Sequence, residues 1–203
     1  PQRLIGILQG ADVGRHLVSD ELDPPLRALF VYNHNPLVVH PDQNRLRRGL
    51  ARDGALRMDS PAGIVDARVV APGRISVNMG VPDFAPRALP FDAPAAAASH
   101  AIEVGGETLE IGAVSMGNPH AVLRVASVET APVERIGRAL QSHPRFPARV
   151  NVGFMQVLDA GHVRLRVYER GVGETRACGT GACAAVAVGR NLGALGGEVQ
   201  VQL

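Results

Sequence analysis

The sequence predicts an α/β chain of the α+β type, and three stretches carry that prediction. Val163, Leu165 and Val167 alternate with Arg164, Arg166 and Tyr168, the period of two that marks a half-buried strand. From Gly179 to Val188 nearly every residue is small or apolar, so a helix there is apolar on every face and buried. From Leu56 onward, short strand-like runs recur between turn residues.

Taken in order, residues 1–28 are weakly patterned. Gly6, Gly10 and Gly14 have no strand before them, so they make no phosphate loop. Ala28–Tyr32 reads as a buried strand ended by the turn Asn33–Pro36. Pro41 and the run QNRLRRGLAR then predict a helix whose arginines, Arg45, Arg47, Arg48 and Arg52, form a solvated face. Ile64–Val70 and Arg74–Met79 predict a hairpin turning at Ala71, Pro72 and Gly73. Val81–Ser99, rich in proline and alanine, reads as a linker, with a domain boundary near it.

Beyond the linker, Ala101–Val104, Thr108–Val114 and Ala121–Val125 read as strands. The turn MGNPH between the last two would hold Asn118 and His120 at a sheet edge, open to a ligand, although an ordinary Asn-Pro turn with a surface histidine has the same pattern. Val133–Gln141 is helical, with Val133, Ile136, Gly137 and Leu140 on one face. Phe154–Leu158 is a strand with Asn151 just ahead of it, and Glu169–Thr175 is the loop that leads to the small-residue helix.

Composition narrows the function. The 203 residues are 46% hydrophobic and can bury one or two cores, while a net charge of +2 gives no reason to expect nucleic acid or a membrane surface as partner. All 21 basic residues are arginine, a bias without an attached mechanism. No run approaches the roughly 18 apolar residues of a membrane span, and the first residues lack the order of a signal peptide, so the expected location is cytoplasmic. The start at Pro1 suggests a fragment or a processed product. Cys178 and Cys183 are unsuited to a disulfide along one helix, and with neither CxxC nor a Cys/His cluster no metal site is expected.

Cys178 lies at the mouth of the predicted helix, where unpartnered amides carry partial positive charge and favour a thiolate. Gly179 and Gly181 would let backbone amides approach an anion such as a carboxylate. A reactive thiol is one reading, and a small buried hydrophobe is the other.

Three blocks in order, GAVSMGNPHAVLRV, QSHPRFPARVNVGFMQV and RLRVYERGVGETRACGTGACAAVAVG, resemble diaminopimelate epimerase across residues 57–203. The resemblance implies a cofactor-independent isomerase that interconverts LL- and meso-diaminopimelate for lysine and peptidoglycan precursors. It also implies a fold of strands wrapped around a buried central helix in each of two domains, and it admits a homodimer. Carried onto these motifs, Cys178 is a catalytic thiol, with His120 and Glu169 near enough to tune its protonation. Asn118, Asn151, Glu169 and Arg170 hold the substrate, an amino acid, and the amides of Gly179 and Thr180 complete its carboxylate site. No cofactor and no metal is implied.

The family's second cysteine, in a CGNGARC-like motif, has no counterpart in these 203 residues. Cys183 cannot replace it, because five helical residues separate the thiols by about 7.5 Å of rise and turn the second one roughly 140° away. The expected organisation is an atypical segment 1–55, the end of a first epimerase-like domain at 56–84, and a second domain at 85–203 that stops short of the family's last strands. Residues 12–53 resemble a segment of molybdopterin-dependent oxidoreductases. A non-catalytic binding or dimerisation module derived from the epimerase half-fold is the alternative function, and an oxidoreductase fragment is the third.

Overall fold

The computed structural model describes residues 55–60, 63–71 and 74–203. The strand and arginine-faced helix expected before residue 55 lie outside the described residues. Contacts divide the chain between Asn78 and Met79.

In the first unit, β1 (Ala55–Ser60), β2 (Gly63–Ala71) and β3 (Arg74–Val77) form an antiparallel sheet in that order. The hairpin expected at 64–79 is therefore present, with a register shift between Val69 and Ala71. Every residue of β3 is exposed.

The second unit is built on one mixed sheet. Its strands are β4 (His100–Val104), β5 (Glu107–Ser115), β6 (Pro119–Arg124), β7 (Asn151–Asp159), β8 (His162–Glu169), β9 (Gly173–Thr175) and β10 (Gln200–Gln202). The order is β10-β8-β7-β6-β5-β4, and β9 pairs with the outer edge of β8. The pairs β6·β7 and β8·β10 are parallel, and the others are antiparallel.

Two helices cover this sheet, α1 (Val133–Gln141) and α2 (Gly179–Asn191). Because successive strand residues point to opposite faces, one chain supplies two cores. Ile111, Ala113, Leu123, Val152 and Phe154 meet Val133, Ile136 and Leu140 of α1. Val114, Val122, Met155, Leu165 and Val167 meet Ala184, Ala185 and Val188 of α2. This explains why β6 and the first half of β7 are buried at consecutive positions, where a one-sided sheet would alternate. Each large side chain so buried contributes about 1.5–3 kcal/mol.

The helix at 133–141 forms as its pattern predicts, with Val133, Ile136, Gly137 and Leu140 buried together with Gln141. Two expectations need correction. The stretch 81–99 is a linker only in part: residues 94–98 are exposed, but Leu89 and Phe91 are 1% and 5% exposed, and Phe91 stacks on Phe146 at 4.5 Å beneath the Arg145 guanidinium. The helix α2 is buried on one face only, by Gly181, Ala184, Ala185, Val188 and Gly189, while Ala182, Cys183 and Val186 are half-buried.

Candidate active site around Cys178

Cys178 is the residue just before α2, in extended conformation at φ −140° and ψ 105°, and its carbonyl starts the helix by accepting from the Ala182 amide at 2.9 Å. Its side chain is 7% exposed and caps nothing, and the first turn holds no acidic residue. The positive end of α2 is therefore uncompensated by its own first turn. The two glycines there act differently. A Cβ at Gly179 would stand in open space, whereas one at Gly181 would lie 3.2 Å from the Cys178 sulfur and 3.1 Å from Val167. Gly181 leaves room for the thiol.

A line of polar groups runs from the sheet to that sulfur. His120 is buried at 1% exposure on β6, and its Nε2 lies 3.0 Å from Asn118 Oδ1. Asn118 Nδ2 lies 3.4 Å from Thr180 Oγ1, which in turn lies 3.5 Å from Cys178 Sγ. When Nε2 carries the imidazole proton, every donor in this line points toward sulfur. The turn that presents Asn118 depends on Gly117, whose φ of +84° is the left-handed region that glycine enters without strain. Met116 N–H donates across the turn to the Asn118 carbonyl at 3.1 Å.

Asn151 joins two loops. It is 4% exposed at the start of β7; Nδ2 donates to the Pro119 carbonyl at 3.0 Å, and Oδ1 accepts from the Arg170 amide at 2.9 Å. Glu169, the last residue of β8, accepts a hydrogen bond from the Thr175 hydroxyl. The Arg170 guanidinium donates to the Ala148 carbonyl at 3.1 Å. Asn118, His120, Cys178 and Thr180 thus share one network, while Asn151 fixes the backbones beside it. Nothing in the sequence pattern marks Thr175 for this contact. Gln141, which donates to the Glu169 carbonyl at 3.0 Å, was detectable as the polar residue on the apolar face of α1.

The electrostatics correct two expectations. Burial pushes the Cys178 thiol above its ordinary value; the Thr180 hydroxyl and the Gly181 backbone oppose the rise, and the Glu169 carboxylate adds to it. Desolvation therefore outweighs the pull of the helix end toward a thiolate, and the resting group is a thiol. His120 stands in an interior strand, far from the exposed edge position expected of it; burial, with the Arg170 charge second, pushes it down to about 4 and keeps it neutral. Cys183 is half-buried, and burial raises its thiol too. Among the described residues no three His, Cys, Asp or Glu side chains gather as a metal site. No described helix is long and apolar enough to cross a membrane.

Comparison with known proteins gives this geometry a context. Residues 112–203 match the family model of diaminopimelate epimerase. The chain is 57% identical over 156 residues to the diaminopimelate epimerase of Thioalkalivibrio sulfidiphilus, covering 77% of this chain and 56% of that protein. It is 49% identical to that of Ectopseudomonas mendocina, covering 78% of this chain and 57% of that protein. The chain thus spans about half the length of the curated relatives it matches. Among solved structures, a probable proline racemase from Agrobacterium radiobacter K84 superposes with a TM-score of 0.51 at 20% identity, over 72% of this chain and 48% of that one, a likeness of fold. The resemblance of residues 12–53 to molybdopterin-dependent oxidoreductases gains no support from these comparisons.

Proposed function

We propose that the chain carries one proton-transfer face of a diaminopimelate epimerase, an isomerase that works without a cofactor on an amino-acid substrate. In this reading residues 56–84 end a first epimerase-like domain and residues 85–203 form the second. The observation that carries it is Cys178 at the uncompensated start of α2, linked through Thr180 and Asn118 to a buried neutral His120.

The chemistry needs these parts. An amino acid's α-proton is a very weak acid, so a base must be held against it while fixed donors stabilise the charge that develops on the carboxylate. The amides of Gly179 and Thr180 would receive that carboxylate at the helix end. Asn118, Asn151, Glu169 and Arg170 would bound the rest of the substrate. Cys178 takes the proton as thiolate and returns it as thiol. The Glu169 carboxylate, which acts on the Cys178 thiol, would receive the proton lost from the resting thiol. Inversion needs a second acid on the opposite face, which Cys178 cannot supply.

Incubating each diaminopimelate stereoisomer with the protein in deuterated buffer tests this. Wash-in of deuterium at the α-carbon of one stereoisomer without inversion is expected, and Cys178→Ser should abolish it. Absence of exchange with either isomer, while the ligand still binds, would establish the alternative of a non-catalytic binding module.

A further inference from the structure

Gln141 ends α1 on its buried face and is 8% exposed. A carboxamide so placed must find partners. Its Nε2 donates to the Glu169 carbonyl oxygen at 3.0 Å. The N–H of the same peptide unit, that of Arg170, donates to Asn151 Oδ1 at 2.9 Å. One peptide, 169–170, is therefore gripped at both of its polar atoms by carboxamides from two different elements, α1 and β7.

The local turn does not supply this grip. Val172 N–H also reaches the Glu169 carbonyl, at 3.1 Å, and Gly171 at φ +77° completes that turn. Those contacts, with the pairing of Glu169 to Gly173 between β8 and β9, fix the turn internally, and none of them reaches α1. Gln141 ties it to the helix packed on the opposite face of the sheet from α2. The side chains that leave the gripped peptide are Glu169, whose carboxylate acts on the Cys178 thiol, and Arg170, whose charge acts on His120.

We propose that Gln141 is a positioning residue: its carboxamide fixes the 169–170 peptide and thereby sets the Glu169 carboxylate against the Cys178 thiol. The inference rests on the reading of Cys178 as the proton-transfer group, yet it can be tested without turnover. Of the titratable groups around that thiol, Glu169 acts on it from β8, and His120, neutral, stands behind Asn118 and Thr180 on β6.

The experiment is the pH dependence of iodoacetamide alkylation at Cys178 in the full chain, with Cys183 as internal reference; fragmentation of the shared tryptic peptide 177–190 resolves the two thiols. Gln141→Met keeps the volume and removes the donor, and Gln141→Asn keeps the amide but draws it back by one methylene. In both, the Cys178 midpoint should fall by about half a pH unit or more as Glu169 retreats, with that of Cys183 unmoved. An unchanged Cys178 midpoint in both variants overturns the proposal, and so does a common shift of both thiols, which would mark general loosening. Exchange on the unmodified protein is measured alongside. Its failure there, with the Cys178 midpoint still moved by the variants, would refute the epimerase reading and leave the positioning role standing.

Discussion

Gly112 on β5 and Val188 on α2 approach so closely that a Cβ on the glycine would lie 2.2 Å from Val188 Cγ1. This contact sets how near the C-terminal half of α2 can come to β5. Gly112→Ala must push the helix outward, and overpacking of this kind typically costs about 1–3 kcal/mol. Urea unfolding should show that loss. The double variant with Val188→Ala should recover part of it, so that the two substitutions together cost less than their sum. Strict additivity would show that the helix does not rest on Gly112.

His120 gives the protein a defined acid sensitivity. Its folded value of about 4 lies below its unfolded value near 6.5, so the folded state holds the neutral imidazole and the unfolded chain takes up the proton first. The associated stability is fully present above pH 6.5 and is lost as pH falls from there through about 4, amounting to about 3 kcal/mol. Urea midpoints at pH 7, 5.5 and 4.5 should fall in that order. His120→Gln should flatten the dependence across this window. An equally steep fall in the variant would assign the effect to other groups.

Much of this architecture was legible in the sequence because it is local. The apolar face of α1, the alternation of β8 and the turn at Gly117 all depend on neighbours within a few positions, and all appear where the pattern puts them. What the pattern missed depends on distant segments. His120 sits in a turn-like string that reads as surface, but β5 and β7 flank its strand on both sides and bury it. The three-residue β9 exists only because β8 offers it an edge, within what reads as an open loop. The helix end alone points to a Cys178 thiolate, but burial decides the protonation of that thiol, and a helix pattern does not encode how deeply its first residue is buried.

Asn151 holds the Pro119 and Arg170 backbones at once, with its side chain buried. Asn151→Ala leaves a carbonyl and an amide without their partner, at about 1–3 kcal/mol for each group that stays dry. Asn151→Asp keeps the acceptor for Arg170 and loses the donor to Pro119, so it should retain part of the stability at neutral pH. Chemical denaturation ranks the three proteins, and the order wild type, Asp, Ala is expected. An alanine variant as stable as the wild type would show that water replaces both contacts.

Glu169 and Cys178 together predict the pH course of the exchange reaction. Burial and the neighbouring carboxylate both hold the thiol protonated, so the base form is scarce at neutral pH and grows as pH rises. The rate of α-deuterium wash-in should therefore climb with pH through neutrality and level off only above the ordinary thiol range. Glu169→Gln removes the charge but keeps a hydrogen-bonding group for Thr175, so the thiol's midpoint should move down and more thiolate form at pH 7. Alkylation of Cys178 at pH 7 should accordingly be faster in this variant than in the wild type, by roughly three- to tenfold if the midpoint falls by half a unit to one unit. Under the proposed mechanism exchange should not gain in proportion, since the same substitution removes the carboxylate assigned to receive the thiol proton. Faster alkylation with slower exchange separates the two roles of Glu169, and a parallel change in both would leave it with an electrostatic role alone.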